Sequence, residues 1–154
     1  MGRDHSGRAG AGVQGEIRLS YFVDTNIFVR LIAADDPEKE SRTLDLFDRA
    51  RSGAIDLMTS EAIIAETIYV LTSPRLYGAT RSQAAESLLG LLSISALHLD
   101  HKDTVVAALQ RYALSNFAFP DCLCIEHALR QTSGLVFTYD RGFDRVPDIR
   151  RLEP

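Results

Sequence analysis

Five short runs of apolar, β-branched or aromatic residues, spaced by stretches long enough for helices, constrain this chain more than any other feature. The runs cover residues 17–23, 54–58, 94–99, 135–138 and, more weakly, 149–152. The stretch 37–51 carries Leu44 and Phe47 on one side and charges elsewhere, as a surface helix does. Ser60 can cap a helix over 61–71. Over 80–92, Ala84, Leu88, Leu91 and Leu92 fall at i, i+4, i+7 and i+8, and Val105, Leu109 and Tyr112 repeat that spacing over 102–114. Pro120 suits the start of a further helix that ends near Gly134, placed as a C′ glycine. Strands separated by helices of this length predict a parallel sheet with helices packed on its faces.

At 154 residues the chain has the size of one domain, and it can bury about 68–70% of its unfolded surface without a disulfide or metal staple. No apolar run reaches the ~18–20 residues that a membrane helix needs. Residues 1–16 are polar and Gly-rich, with no hydrophobic segment of the kind a secretory signal carries. They read as a disordered leader, an expression remnant or a start-site extension before a single domain at 17–154. These features predict a cytoplasmic protein. The Gly10, Gly12 and Gly15 spacing in that leader matches a dinucleotide-binding fingerprint, but no strand precedes it and a strand-like run follows, so it is rejected. A formal charge of −4 argues against a protein that coats nucleic acid with positive charge. It does not exclude a nuclease that meets phosphates through bound cations. Fifteen of the 17 basic residues are Arg, which favours bidentate phosphate contacts but equally fits a skewed base composition.

In a parallel α/β sheet, ligands bind beyond the carboxyl ends of the strands. Asp24 directly follows Tyr21, Phe22 and Val23; Asp140 follows the run ending at Tyr139; Asp121 opens the helix after Pro120. Singly, Asp24 can be a helix cap, Asp121 a favourable charge at a helix N-terminus, and Asp140 a turn residue. Glu66 interrupts a helix that reads as apolar almost all round and therefore buried, where a carboxylate costs several kcal/mol unless it is paired or bound to metal. No Arg or Lys lies within a turn of it, although a distant Arg could serve. Four carboxylates at one end of a sheet suit a hard divalent cation, which relieves their repulsion.

Taken in order, Tyr21 to Phe28 around Asp24, Ala65 to Leu71 around Glu66, Phe119 to Ala128 around Asp121 and Thr138 to Phe143 around Asp140 resemble the PIN-domain nucleases over about residues 19–152. The stretch 70–85 is similar to the helix–loop–helix arm of the VapC-type toxins within that family. The resemblance implies a three-layer α/β/α fold around a central parallel sheet of about five strands, and a Mg²⁺ site that Mn²⁺ can also fill. It further implies endoribonuclease activity on an RNA substrate, a homodimer, and neutralisation by a small VapB-type antitoxin. Asp24, Glu66, Asp121 and Asp140 match the acidic positions, Thr138 the small hydroxyl before the last acid, and Asn26 the polar residue that steadies the first loop. Where the family often carries a further acid, this chain has Gly142, with Asp144 as a possible substitute or a surface residue.

Cys122 and Cys124, two apart on a helix, cannot bridge each other. His98, His101 and His127 lack ligand spacing and read as surface or core-edge residues. A housekeeping RNA-processing nuclease and a PIN-like binding module without catalysis stay open as alternatives. A phosphoaccepting receiver domain does not, because neither Lys39 nor Lys102 follows a late strand. The helices at 61–71 and 80–92 carry more apolar side chains than a monomer surface needs, and this predicts a covered face in a homodimer.

Overall fold

The computed structural model describes residues 18–154, so the expected leader at 1–16 lies outside the described residues. The chain alternates as predicted: β1 (Ser20–Phe22), α1 (Thr25–Ala33), α2 (Pro37–Arg51), β2 (Asp56–Met58), α3 (Glu61–Thr72), α4 (Arg81–Leu92), β3 (Leu97–His98), α5 (Lys102–Leu114), α6 (Phe119–Gln131), β4 (Leu135–Phe137), a 3₁₀ turn (Arg141–Arg145) and β5 (Arg150–Leu152). All strand pairs are parallel, which makes this a mixed α/β fold. The strands form two ladders, β1–β2–β3 and β4–β5, rather than one sheet of five. Each strand is only two or three residues long, so the ladders contribute few backbone bonds and helix packing carries the architecture.

The helices start where local chemistry satisfies their first N–H groups. Asp24, Asp36, Ser60 and Thr80 each accept a bond from a backbone N–H three residues on, and Thr80 forms a full capping box with Gln83. One core joins the β1–β3 ladder to α1–α5 and the start of α6, centred on Phe28, Phe47, Leu57, Ile64, Leu88, Leu97 and Leu109. A small second cluster, Ile125, Phe143 and Val146, seats β4, the 3₁₀ turn and β5 on α6. Among the described residues no helix is long and apolar enough to cross a membrane.

Three expectations change here. On α2 the buried residues are Thr43, Phe47 and Ala50, while Leu44 is exposed. The helix α3 is not buried all round: Ile64, Thr67, Ile68 and Leu71 face inward, and Glu66 and Tyr69 face solvent. Most of the apolar surplus on α3 and α4, including Ile64, Ile68, Leu88, Leu91 and Leu92, is buried within the chain itself and gives no argument for a second subunit.

Candidate active site

Asp24 is fixed by what surrounds it. Val23 N–H donates to Met58 O at 2.8 Å, and Thr59 Oγ1 donates to Val23 O at 3.3 Å, so the end of β1 is tied to the end of β2. The chain then turns into α1, where Asp24 Oδ1 accepts the Ile27 N–H at 3.3 Å. The next residue, Thr25, is buried, and its Oγ1 donates to Glu66 Oε2 at 2.6 Å. This bond, between α1 and α3, brings Glu66 beside the Asp24 turn. Glu66 is exposed and forms no ion pair among the described residues, so the cost expected for a buried carboxylate does not arise. Thr25, rather than Asn26, steadies this loop: Asn26 is exposed, and its side chain makes no hydrogen bond among the described residues. It lines a cavity of about 390 Å³ with Arg30, Lys39 and Arg42. Those cations are paired with Asp35, Asp36 and Glu38, so they add little net positive field.

Asp121 lies half-buried in the first turn of α6, where the helix dipole favours its charge. Burial pushes the Cys124 thiol up, and the charge of Asp121 adds to that. The Cys122 thiol is also raised, again first by burial. Cys122 is buried, whereas Cys124 is exposed as a residue with its thiol only partly desolvated. The loop ahead of α6 is held by Arg81, which donates to the carbonyls of Tyr112 and Phe117 and stacks 3.7 Å above the Tyr112 ring.

Asp140 caps the 3₁₀ turn: its Oδ1 accepts the Gly142 N–H at 2.7 Å, and its own N–H donates to Thr138 Oγ1 at 3.0 Å. A side chain at position 142 would start 3.0 Å from Asp140 Oδ1 and 3.3 Å from the Phe117 ring, so those two side chains would have to give way by a few tenths of an ångström. Asp144 is exposed and bonds Arg151 at 2.9 Å, the arrangement of a surface residue. Phe117 meets Phe143 with ring centroids 5.9 Å apart and so packs the loop before Asp121 against the Asp140 turn.

Asp24 and Glu66 are thus linked through Thr25, and Phe117 packs the loop before Asp121 against the turn that Asp140 opens. Among the described residues no three His, Cys, Asp or Glu side chains converge closely enough to hold a metal ion. As donors, however, the four acids with Thr25 and Thr138 form an all-oxygen set suited to a hard divalent cation. Asp24 and Asp140 each give only Oδ1 to the backbone, and their exposure leaves the side chains room to adjust. Thr25, Arg81 and Phe117 were not singled out from sequence. Thr25 lies within the Tyr21 to Phe28 stretch around Asp24, while Arg81 and Phe117 act across 31 or more and 25 or more residues and leave no local signal.

Comparison with known families finds the PIN domain matched over residues 21–149, a span that contains all four acids. No curated protein matches the chain.

Proposed function

The chain belongs to the PIN domain family, and from that premise we propose that it is a metal-dependent endoribonuclease acting as the toxin of a VapBC-type toxin–antitoxin pair. PIN membership supports a nuclease in general. The Thr25–Glu66 hydrogen bond supports the four-acid site, because across 41 residues of sequence it brings Glu66 beside the turn that holds Asp24. Asp24, Glu66, Asp121 and Asp140 would hold Mg²⁺, or Mn²⁺ in its place. When bound, the cation supplies Lewis acidity toward the scissile phosphate and lowers the pKa of a water. Thr25 keeps the Glu66 carboxylate turned toward the Asp24 loop, Thr138 and the Gly142 N–H fix the Asp140 turn, and the α6 dipole supports the charge on Asp121. Exposure of Asp24, Glu66 and Asp140 lets an RNA strand reach them. No Ser or Cys stands with a base among these groups, so water is the nucleophile.

The toxin reading is supported by the α3–loop–α4 arm, whose sequence is similar to VapC-type arms. Its exposed Tyr69 and Leu76 offer contact area for a second copy or a small antitoxin. The test combines binding and chemistry. Mn²⁺ or Mg²⁺ raises the melting temperature of the wild type by mass action, and the gain disappears in the variant Asp24→Asn/Asp121→Asn. Glu66→Gln, which can still accept from Thr25, lowers RNA cleavage by about 10²-fold or more while the metal-free stability changes by no more than about 0.5 kcal/mol. Unchanged metal stabilisation in the double variant, or preserved cleavage in Glu66→Gln, overturns the assignment. Suppression of cleavage by the product of a short frame upstream of the gene tests the toxin role.

A further inference from the structure

Where α3, α5 and α6 meet, Glu61, His101, His127 and Gln131 form a polar cluster that the proposed chemistry does not use. His127 Nε2 lies 2.9 Å from Glu61 Oε1, and its Nδ1 lies 2.9 Å from Gln131 Nε2. One neutral tautomer satisfies both bonds: Nε2–H donates to Glu61, and Nδ1 accepts from Gln131. The His101 ring meets His127 edge-on with centroids 5.5 Å apart. The Glu61 and His127 side chains are 31% and 26% exposed, so water screens their contact less than it screens an open surface pair.

The cluster is anchored to the sheet. Glu61 is the first residue of α3 and His101 stands at the N-cap position of α5 without a side-chain capping bond, each three residues beyond the paired strand ends Met58 and His98. From this point Glu66 lies five residues further along α3, and Asp121 lies six residues back along α6. At 1.5 Å per residue these offsets are about 7.5 and 9 Å. The fold of the two helices does not depend on the cluster. Ile64, Ile68 and Leu71 seat α3 in the core, and Glu126 holds α6 to α5 through Arg111. The Glu61–His127 bond ties α6 directly to α3.

We propose that His127 is a positioning residue which, through Glu61, sets the separation of Glu66 and Asp121 and thereby the affinity of the site for a divalent cation. This rests on the four-acid reading above. Its test is a titration with Mn²⁺, reading the free ion by its paramagnetic resonance, on the wild type and on His127→Ala, Glu61→Ala, their combination and His127→Gln. Melting temperatures of the metal-free proteins are measured alongside. The Ala variants should each weaken Mn²⁺ binding about tenfold, the size of effect typical of residues that orient ligands. The combination should be no weaker than either alone, and the Gln variant, which keeps a donor toward Glu61, should recover most of the affinity. Metal-free melting temperatures should stay close to the wild type. Unchanged Mn²⁺ affinity with a lowered melting temperature makes the contact purely structural and overturns the proposal, as do additive effects of the two Ala changes. A wild type that binds no Mn²⁺, or one whose binding survives Asp24→Asn, removes the four-acid reading and this inference with it. Failure of the cluster variants alone removes only the inference.

Discussion

At Glu126 two opposing effects meet. Burial pushes its carboxyl up, but hydrogen bonds from Arg130 and Arg111, and their charges, outweigh this and leave it below the ordinary carboxylate range. A lowered folded pKa contributes stability that is fully present above the unfolded value, about 4.3, and is lost as pH falls through the folded value. Glu126→Gln should therefore cost about 1.5–3 kcal/mol at pH 7, the worth of hydrogen bonds to a charged group. The loss stays below that of a fully buried pair because both arginines reach water. Urea melts from pH 7 to pH 3 check this: the gap between wild type and variant narrows on the acid side of pH 4. An unchanging gap places the effect in packing. The burial of Glu126 was not legible in sequence because its Arg111 partner lies 15 residues away on α5, and its i,i+4 pairing with Arg130 alone reads as a surface pair. Glu66 shows the reverse case. Its assignment to the site rests on its place in the ordered motifs, and the argument from burial does not hold, since an apolar composition does not say which side of α3 the rest of the chain covers.

Among the elements, helices were the more legible because their caps and 3.6-residue period are local. The bounds of α2 and α5 are those the spacing predicts, and α3 and α4 differ by one residue at an end. The helix after Asp24 was anticipated only through its cap. Strand positions were found but their lengths were overestimated, since apolar runs continue past the last ladder bond. The sequence reads Gly134 as the C′ glycine of α6, but Thr132 is the C-cap, so Ser133, at φ +51°, holds the C′ place and is followed by Gly134. Its φ of +82° agrees with a turn, yet a Cβ there would sit 1.9 Å from Asp148 O, where the chain leading into β5 passes. The need is thus for close approach as well as for backbone freedom. Gly134→Ala should cost at least about 2 kcal/mol, from left-handed strain plus displacement of that chain. Hydrogen exchange should localise the change to the amides of Thr138 and Arg150, which bond to Leu152 O and Gly134 O. Uniform loosening of β1–β3 instead would contradict the local origin.

Across the whole molecule, the two ladders and two apolar clusters raise the question of what makes the chain one unit. Sequence periodicity indicates the parallel sense of the strands but not their division into the β1–β3 and β4–β5 ladders, because lateral neighbours depend on packing between segments distant in the chain. Phe117 is the residue packed against both clusters. It also carries the carbonyl held by Arg81 and touches the Asp140 turn. Phe117→Ala should cost about 2–3 kcal/mol, less than a fully buried Phe because the ring is half-exposed. The loss should fall unevenly. Amides in β4 and β5 should exchange through an opening of lower free energy, while those of α3 to α5 keep most of their protection. If Asp140 belongs to the site, cleavage should drop with this local opening at temperatures where the larger core is intact, and Phe117→Leu, which restores apolar bulk, should recover part of both. An equal loss of protection in every element would mean that the two clusters unfold as one, and that Phe117 adds stability without linking Asp140 to the rest of the acids.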